Sequence, residues 1–222
     1  MSTAPLTIDV VSDVACPWCY LGKRRLERAL DLVRDIPVTV RWLPYRLDPT
    51  IPPEGIDRKD YITAKFGSLE AIEPAHARLT AFGREEGIDY HFERITRSAN
   101  TIDAHRLIRW AEPAGLTDTI VERLFAAYFS EGRDIGDRQV LAAIAGEAGL
   151  DADAIAAHLA TDEDRDVISR EIDEAYRIGV TGVPCFIFGR KYGVMGAQAA
   201  ETIVDAIRQV AAERAAEPAT AK

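Results

Sequence analysis

Apolar positions in the 222-residue chain recur with the period of a strand near both ends and with the period of a helix between them. An apolar run at 6–11 and a β-branched run at 38–43 each predict a strand. Between them, inward positions recur at steps of three and four, which predicts a helix that ends near 35–37; these positions are Cys19, Gly22, Leu26, Ala29, Leu30 and Val33. A strand, a helix and a second strand form a βαβ unit with parallel strands and a right-handed crossover.

Helical periodicity then continues across 57–179, after a proline-rich loop at 43–55. Several residues in this region predict helix boundaries. Thr101, Thr117, Asp137 and Asp151 are predicted N-caps, and Gly115, Gly149 and Gly179 are predicted helix ends. The β pattern returns at 185–188 and 191–194, around a predicted tight turn at Gly189-Arg190. A last helix is predicted after this hairpin, and its inward-facing residues are Ala200, Ile203, Ile207, Val210 and Ala211. The predicted order is β-α-β, a helical insertion, and β-β-α.

The motif Cys16-Pro17-Trp18-Cys19 stands where the first strand gives way to the first helix. Pro17 suits the first helical position, where its missing N–H is not needed. Unpaired N–H groups and the helix dipole favour an anion at this end, and a Cys16 thiolate is that anion. Cys19 lies one turn further, on the inward face. We therefore expect Cys16 to attack and Cys19 to resolve.

Two other uses of paired cysteines fit the sequence less well. Zinc would need two more ligands, yet the remaining cysteine is Cys185 and the four histidines are far apart in sequence. Folding could still gather ligands, so zinc stays open as a minor alternative, and no metal site is predicted. A purely structural disulfide would close almost no loop and so would barely restrict the unfolded chain.

Charge and composition narrow the classes of partner. A net charge of −9 argues against nucleic acid and anionic membranes. No run approaches the roughly 20 apolar residues that span a bilayer. The start, Met1-Ser2-Thr3-Ala4-Pro5, shows no secretory leader, so we expect a cytoplasmic protein whose thiols are held mostly reduced.

The order of elements and the position of the cysteine motif resemble the thioredoxin fold with a helical insertion, as in the DsbA-like family. The stretches 12–22, Asn100-Thr101 with 104–107, and 179–184 are similar to its FrnE-type branch. The resemblance implies an α/β fold in which 1–56 and 180–222 form a discontinuous thioredoxin-like domain around a helical insertion domain at 57–179.

The resemblance also implies a thiol–disulfide oxidoreductase or isomerase that acts on protein disulfides. Its partners would be protein thiols, protein disulfides or glutathione, with glutathione as reductant or ligand. No tightly bound cofactor is implied beyond the redox-active Cys16–Cys19 disulfide. Surface helices in the insertion are compatible with a homodimer.

Further site residues follow from the resemblance. Val183-Pro184 is similar to the cis-proline loop that faces the first cysteine, where the Val183 backbone can pair with an extended substrate. Pro17, Trp18 and Asn100 are expected to contribute to substrate binding. Asp13 and His105 are expected helpers, although a loop-capping Asp13 and a hydrogen-bonded core His105 are the ordinary structural alternatives. Val10 stands where many relatives carry a buried acid.

A different class of function remains as an alternative. The same architecture resembles kappa-class glutathione transferases and 2-hydroxychromene-2-carboxylate isomerases, which act on small molecules with glutathione. Those proteins carry serine at the position of Cys16 and tend to carry an acid near Gln198, so both departures count against this alternative. A redox-responsive binding module is a third option that nothing in the sequence requires. Cys185, next to Pro184, is expected to pack as a small apolar group.

Overall fold

The computed structural model describes residues 4–216 and confirms the predicted thioredoxin fold. Residues 1–3, part of the segment in which no leader is predicted, and residues 217–222 lie outside this range. The strands are β1 (Leu6–Ser12), β2 (Val38–Pro44), β3 (Ile56–Asp57), β4 (Arg97–Ser98), β5 (Cys185–Phe188) and β6 (Tyr192–Met195). The helices are α1 (Pro17–Leu32), α2 (Arg58–Phe66), α3 (Glu73–Glu85), α4 (Ile102–Trp110), α5 (Thr117–Phe129), α6 (Arg138–Glu147), α7 (Ala152–Leu159), α8 (Arg165–Arg177) and α9 (Ala200–Ala216).

The main sheet has the strand order β2-β1-β5-β6. β1 and β2 are parallel, in register from Leu6 opposite Val38 to Ser12 opposite Pro44, which confirms the βαβ unit. The helix between them, α1, ends at Leu32, three residues before the predicted end. β5 pairs antiparallel with β1 and with β6, so the motif at the end of β1 lies beside the start of β5.

The predicted hairpin is present with β6 shifted by one residue. Gly189 and Arg190 have φ of 57° and 60°, and the Lys191 N–H donates to the Phe188 carbonyl at 3.0 Å. Two successive residues with positive φ are typical of tight hairpin turns that match the twist of the strands. In α9, all the predicted inward residues are buried except Ala211, which is half-buried.

Helices cover both faces of the main sheet. α1 and α9 pack on one face around buried residues of β1 and β5, among them Ile8, Val10, Phe186 and Phe188. α8 packs on the other face, where Ala175 joins a small cluster with Val11, Tyr45, Val180 and Cys185. A third and larger cluster lies mainly in the insertion but includes Cys16 and Cys19. The motif is therefore placed where the sheet and the insertion meet.

Most of the predicted helix boundaries in the insertion are correct. Asp137 accepts from the N–H groups of Gln139 and Val140, and Asp151 caps α7 in the same way, as predicted. The prediction for Thr117 was wrong: Thr117 is the first residue of α5, and Leu116 is the N-cap. Thr101 holds the cap position of α4 without a side-chain bond, because the Asn100 side chain accepts the Ile102 N–H instead.

The insertion also contains structure that the helical pattern did not predict. β3 and β4 form a two-stranded antiparallel pair that joins the proline-rich loop to the segment before α4. The glycines at 115, 149 and 179 all have positive φ, in agreement with their predicted place at helix ends. None of the helices in the described part of the chain is long and apolar enough to cross a membrane.

Candidate active site

Cys16 is the N-cap of α1, at the point where the chain leaves β1. Its backbone is extended, with φ −98° and ψ 114°, and Pro17 is the first helical residue. The Cys16 N–H donates to the Asp13 carbonyl at 2.9 Å, which closes a tight turn between strand and helix. Cys16 and Cys19 are only 3% and 1% exposed, and both are free thiols.

The two thiols have different environments. Burial raises the pKa of Cys19 well above its ordinary value, and a hydrogen bond with Cys16 and the charge of a Cys16 thiolate raise it further. Cys19 consequently holds its proton, while Cys16 lies at the positive end of the helix dipole. The two thiols therefore differ: Cys19 keeps its proton inside the core, and Cys16 is the sulfur placed at the helix N-terminus.

The loop before β5 faces the first cysteine. The Val183–Pro184 peptide bond is cis, as predicted, and the Val183 carbonyl oxygen lies 3.8 Å from Cys16 Sγ. Gly22 allows this approach, because a Cβ added there would lie 2.8 Å from Pro184 Cγ and 3.2 Å from the Phe186 ring. A methyl group at Gly22 would push the proline loop away from α1.

Tyr90 supports the motif from the insertion and is not among the residues predicted from the sequence. Its hydroxyl donates to the Pro17 carbonyl at 2.6 Å, and its ring lies edge-on to Tyr20 at 6.0 Å. Gly83 provides the space for this ring, since an added Cβ would lie 2.6 Å from it. Gly83 lies within a helix and not at a cap, and such a glycine in the sequence could have indicated a close contact at this position.

A cavity of about 400 Å³ opens beside Cys16. Pro17, Trp18 and Val183, which the sequence analysis predicts to bind substrate, lie on its wall. The insertion and the proline-rich loop supply the opposite wall, which includes Arg46, Leu47, Asp48, Arg58, Tyr61, Lys65, Phe66 and His76. The volume falls within the range of small-molecule sites, and the apolar walls also suit part of a polypeptide.

The charged groups of this cavity are partly paired. Asp48 accepts from Lys65 and Tyr61, each at 3.0 Å, and hydrogen bonds to these groups and to Thr50 lower its pKa against the opposing effect of burial. Arg58 donates to Ser98, and Arg46 donates to the Ile51 carbonyl. Both guanidinium groups therefore keep further N–H donors for an anionic group in the cavity.

The two expected helpers lie next to each other. The Asp13 carboxylate accepts the Ala15 N–H at 3.1 Å and the Leu47 N–H at 2.7 Å, so it fixes the loop before Cys16. His105 Nε2 donates to the Tyr45 carbonyl at 3.0 Å and lies 3.9 Å from Asp13 Oδ1. Burial lowers the pKa of His105, so the imidazole is neutral. These contacts match the structural alternatives for both residues.

Asn100 lies apart from the cavity lining, although its neighbours Ser98, Ala99 and Thr101 belong to it. Its amide donates to the Ile51 carbonyl at 2.8 Å, which ties the proline-rich loop to the start of α4. Asn100 therefore acts here as a support for the loop.

Gln198 donates to the Met195 carbonyl and is exposed, outside the cavity wall.

Cys185 is 3% exposed and packs with Val11 and Val180 behind the proline loop. Burial raises the pKa of its thiol, which makes it a weaker nucleophile than an exposed cysteine. Among residues 4–216, no group of three or more His, Cys, Asp or Glu side chains is arranged to hold a metal ion.

Comparison with known proteins relates this geometry to a family. Residues 7–208 match the family described as the DSBA-like thioredoxin domain. A crystal structure of a probable DsbA oxidoreductase from Streptomyces coelicolor is similar, with a TM-score of 0.85 and 34% identity, over 98% of this chain and 93% of the other.

Two further structures share the fold at lower identity. A 2-hydroxychromene-2-carboxylate isomerase has a TM-score of 0.72 and 16% identity, over 94% of this chain and 98% of its own. The cytosolic disulfide reductase DsbM from Pseudomonas aeruginosa, solved with glutathione, has a TM-score of 0.63 and 21% identity, with the same coverage of each chain. At these identities the likeness shows the fold alone. Because the family match covers most of its length, the chain belongs to the DSBA-like thioredoxin domain family of oxidoreductases.

Proposed function

We propose that this protein is a thiol–disulfide oxidoreductase that acts on protein disulfides through Cys16 and Cys19. The observation that carries the proposal is the buried dithiol at the start of α1, with Cys16 Sγ 3.8 Å from the carbonyl of a cis-proline loop. This placement gives one thiol at a helix N-terminus and a second that retains its proton.

The reaction consists of two exchanges. The Cys16 thiolate attacks one sulfur of a substrate disulfide, so that a Cys16–substrate bond forms and the other substrate sulfur leaves as a thiolate. Cys19 then loses its proton and attacks Cys16 Sγ, which forms the Cys16–Cys19 disulfide and releases the second substrate sulfur. Two electrons pass from the enzyme to the substrate. The reverse sequence introduces a disulfide. Attack of another substrate thiolate on the mixed disulfide, in place of Cys19, permits isomerisation, because it forms a new substrate disulfide and frees the Cys16 thiolate.

The surface around Cys16 favours a polypeptide substrate. Val183 lies two residues before β5, beyond the paired residues of the sheet, so its backbone can pair with an extended chain. Trp18 is half-buried beside Cys16. Leu47 and Phe66, on the cavity wall, are 44% and 46% exposed and offer apolar surface to a bound polypeptide.

Glutathione is the second candidate, as reductant or as ligand of a small-molecule reaction. The observation in its favour is the group of cations on the cavity wall, Arg46, Arg58 and Lys65, which can bind the carboxylates of a small thiol. Cys16 in place of serine favours disulfide chemistry over conjugation. We propose net reduction or isomerisation in the cytoplasm, with the thioredoxin-like parts at 1–56 and 180–222 and the insertion at 57–179.

Turnover with two classes of disulfide distinguishes the candidates. The reduced protein is mixed separately with insulin and with oxidised glutathione, and the appearance of substrate thiols is followed. We expect a rate constant at least about tenfold higher for insulin, which corresponds to about 1.4 kcal/mol of preferential stabilisation. The opposite preference would favour the glutathione reaction, and no reduction of either would contradict both. Cys185→Ala serves as the control and should retain full activity.

A further inference from the structure

Ser12, the last residue of β1, lies directly behind the resolving cysteine. It is 4% exposed, and its hydroxyl has no well-aligned hydrogen-bond partner among the described residues. The same hydroxyl is close enough to the Cys19 sulfur to lower the pKa of that thiol. A buried hydroxyl without a committed partner is uncommon in folded proteins and calls for an explanation. It is free to turn towards Cys19 when the sulfur becomes negative.

Ser12 also lines a second cavity. Its volume is about 250 Å³, which is room for several waters, since a water occupies about 30 Å³ in the liquid. Ser12 and His105 lie on its inner wall, and Arg41, Arg109, Glu112 and Glu171 supply charged groups further out. This rear cavity shares no lining residue with the cavity beside Cys16.

The resolving step requires a route for a proton. Cys19 is 1% exposed, so its proton must pass through neighbouring groups. During this step, a substrate protein bonded to Cys16 covers the cavity beside Cys16. Val10 offers no carboxylate, and Asp9, on the other face of β1, is paired with Arg41 at 2.7 Å. The Asp13 carboxylate is occupied by two backbone N–H groups.

We infer that Ser12 is the proton-relay residue of this protein, and that it passes the Cys19 proton into the rear cavity during resolution of the mixed disulfide. The inference rests on the proposed thiol–disulfide function. Ser12 accepts the Cys19 proton and gives its own hydroxyl proton to water in the rear cavity. The Cys19 thiolate attacks Cys16 Sγ, the Cys16–substrate bond breaks, and the departing substrate thiolate is protonated by solvent. No additional oxidant or reductant is needed.

Few ionisable groups face the reacting pair. Cys16 lies in the first turn of α1, and Tyr90, from the insertion, interacts with both cysteines. Burial raises the pKa of Tyr90, so the phenol stays protonated. Asp13 contributes a backbone group to Cys19, and His105 is neutral through burial. The Asp13 carboxylate and the neutral His105 ring can accept a proton, but the side chains that act on the Cys19 sulfur itself are Cys16 and Ser12.

Separating the two exchanges tests the inference. In a Cys185→Ala background, the reduced protein is mixed rapidly with an aromatic disulfide whose thiolate product is coloured. Cys16 releases the first equivalent and Cys19 releases the second. In Ser12→Ala the first phase should be unchanged and the second at least roughly tenfold slower, at the lower end of the usual effects of proton transfer. The second phase should also require higher pH, because a group that lowers the pKa of Cys19 is lost.

Controls separate the relay from packing. Ser12→Thr keeps the hydroxyl and should restore the second phase, whereas Thr7→Val removes a hydroxyl from the opposite end of β1 and should change neither phase. In the protein with Ser12 intact, a plot of the second-phase rate against the fraction of heavy water should be curved, because two protons move in the same step. A linear dependence, or an Ser12→Ala second phase equal to that of the parent, would overturn the relay. Absence of both phases in the parent protein would instead contradict the proposed function.

Discussion

Replacing Cys16 with serine is expected to reduce the rate of insulin reduction by at least about a thousandfold. A serine hydroxyl is almost wholly protonated at neutral pH, whereas a thiol at a helix N-terminus supplies a strong nucleophile. The hydroxyl also forms no stable bond to a substrate sulfur, so Cys19 has nothing to resolve. The measurement is the initial rate of insulin reduction with the pre-reduced proteins.

The matched control is Cys185→Ser, which makes the same atomic change behind the proline loop. Cys185 is buried among apolar residues and its pKa is raised, so its loss should leave the rate close to that of the parent. Thermal unfolding of both variants would show that neither effect arises from loss of the fold. A Cys16→Ser protein that keeps about a tenth or more of the activity would contradict the assignment of the nucleophile.

Asp103→Ala is expected to lower the free energy of unfolding by about 3–5 kcal/mol, the usual cost of breaking a buried ion pair. Asp103 accepts from Arg106 at 2.7 Å, from Arg138 at 3.0 Å and from Arg165 at 2.7 Å. Arg106 is fully buried, so its charge would lose its carboxylate partner without gaining water. Because these arginines lie on α4, α6 and α8, the loss would loosen the packing of these three helices.

Urea unfolding followed by circular dichroism measures this effect, with Asp153→Ala as the control. Asp153 is exposed in the first turn of α7, and its removal should change stability by no more than about 0.5 kcal/mol. Asp103→Asn keeps acceptor and donor capacity and should fall between the two. Equal stabilities of the Asp103→Ala and Asp153→Ala proteins would contradict the role of Asp103.

Local patterns were sufficient to predict the elements that carry the chemistry. The apolar run of β1, Pro17 at the first helical position and the Val183-Pro184 pair each depend on residues close in sequence. For the same reason the caps Asp137 and Asp151 were predicted correctly, since a cap bonds to N–H groups two and three residues on.

Contacts between distant segments could not be predicted in this way. Tyr90 reaches Pro17 from more than 70 positions away, a separation that sequence periodicity does not address. Ser12 continues the inward face of β1, so the pattern gave no sign that its hydroxyl is buried without a partner and that the residue lines a cavity. The β3–β4 pair was missed because strands of two residues have no detectable period.

The position of the two cysteines connects the fold with the proposed reaction. Both belong to the core cluster of the insertion, while their backbone continues from the central strand of the thioredoxin sheet. The insertion therefore supplies burial, which keeps Cys19 protonated, and it also supplies one wall of the cavity beside Cys16. The sheet supplies the cis-proline loop that faces Cys16.

Trapping with Cys19→Ser tests the central claim most directly. This variant can form the bond between Cys16 and a substrate but cannot resolve it. After incubation with cell extract and an alkylating quench, adducts are purified and mapped by mass spectrometry, with the Cys16→Ser/Cys19→Ser double variant as the blank. We predict many protein adducts, each joined through Cys16 and each absent from the blank. Adducts of glutathione alone, or no adduct on Cys16, would contradict a protein thiol–disulfide oxidoreductase.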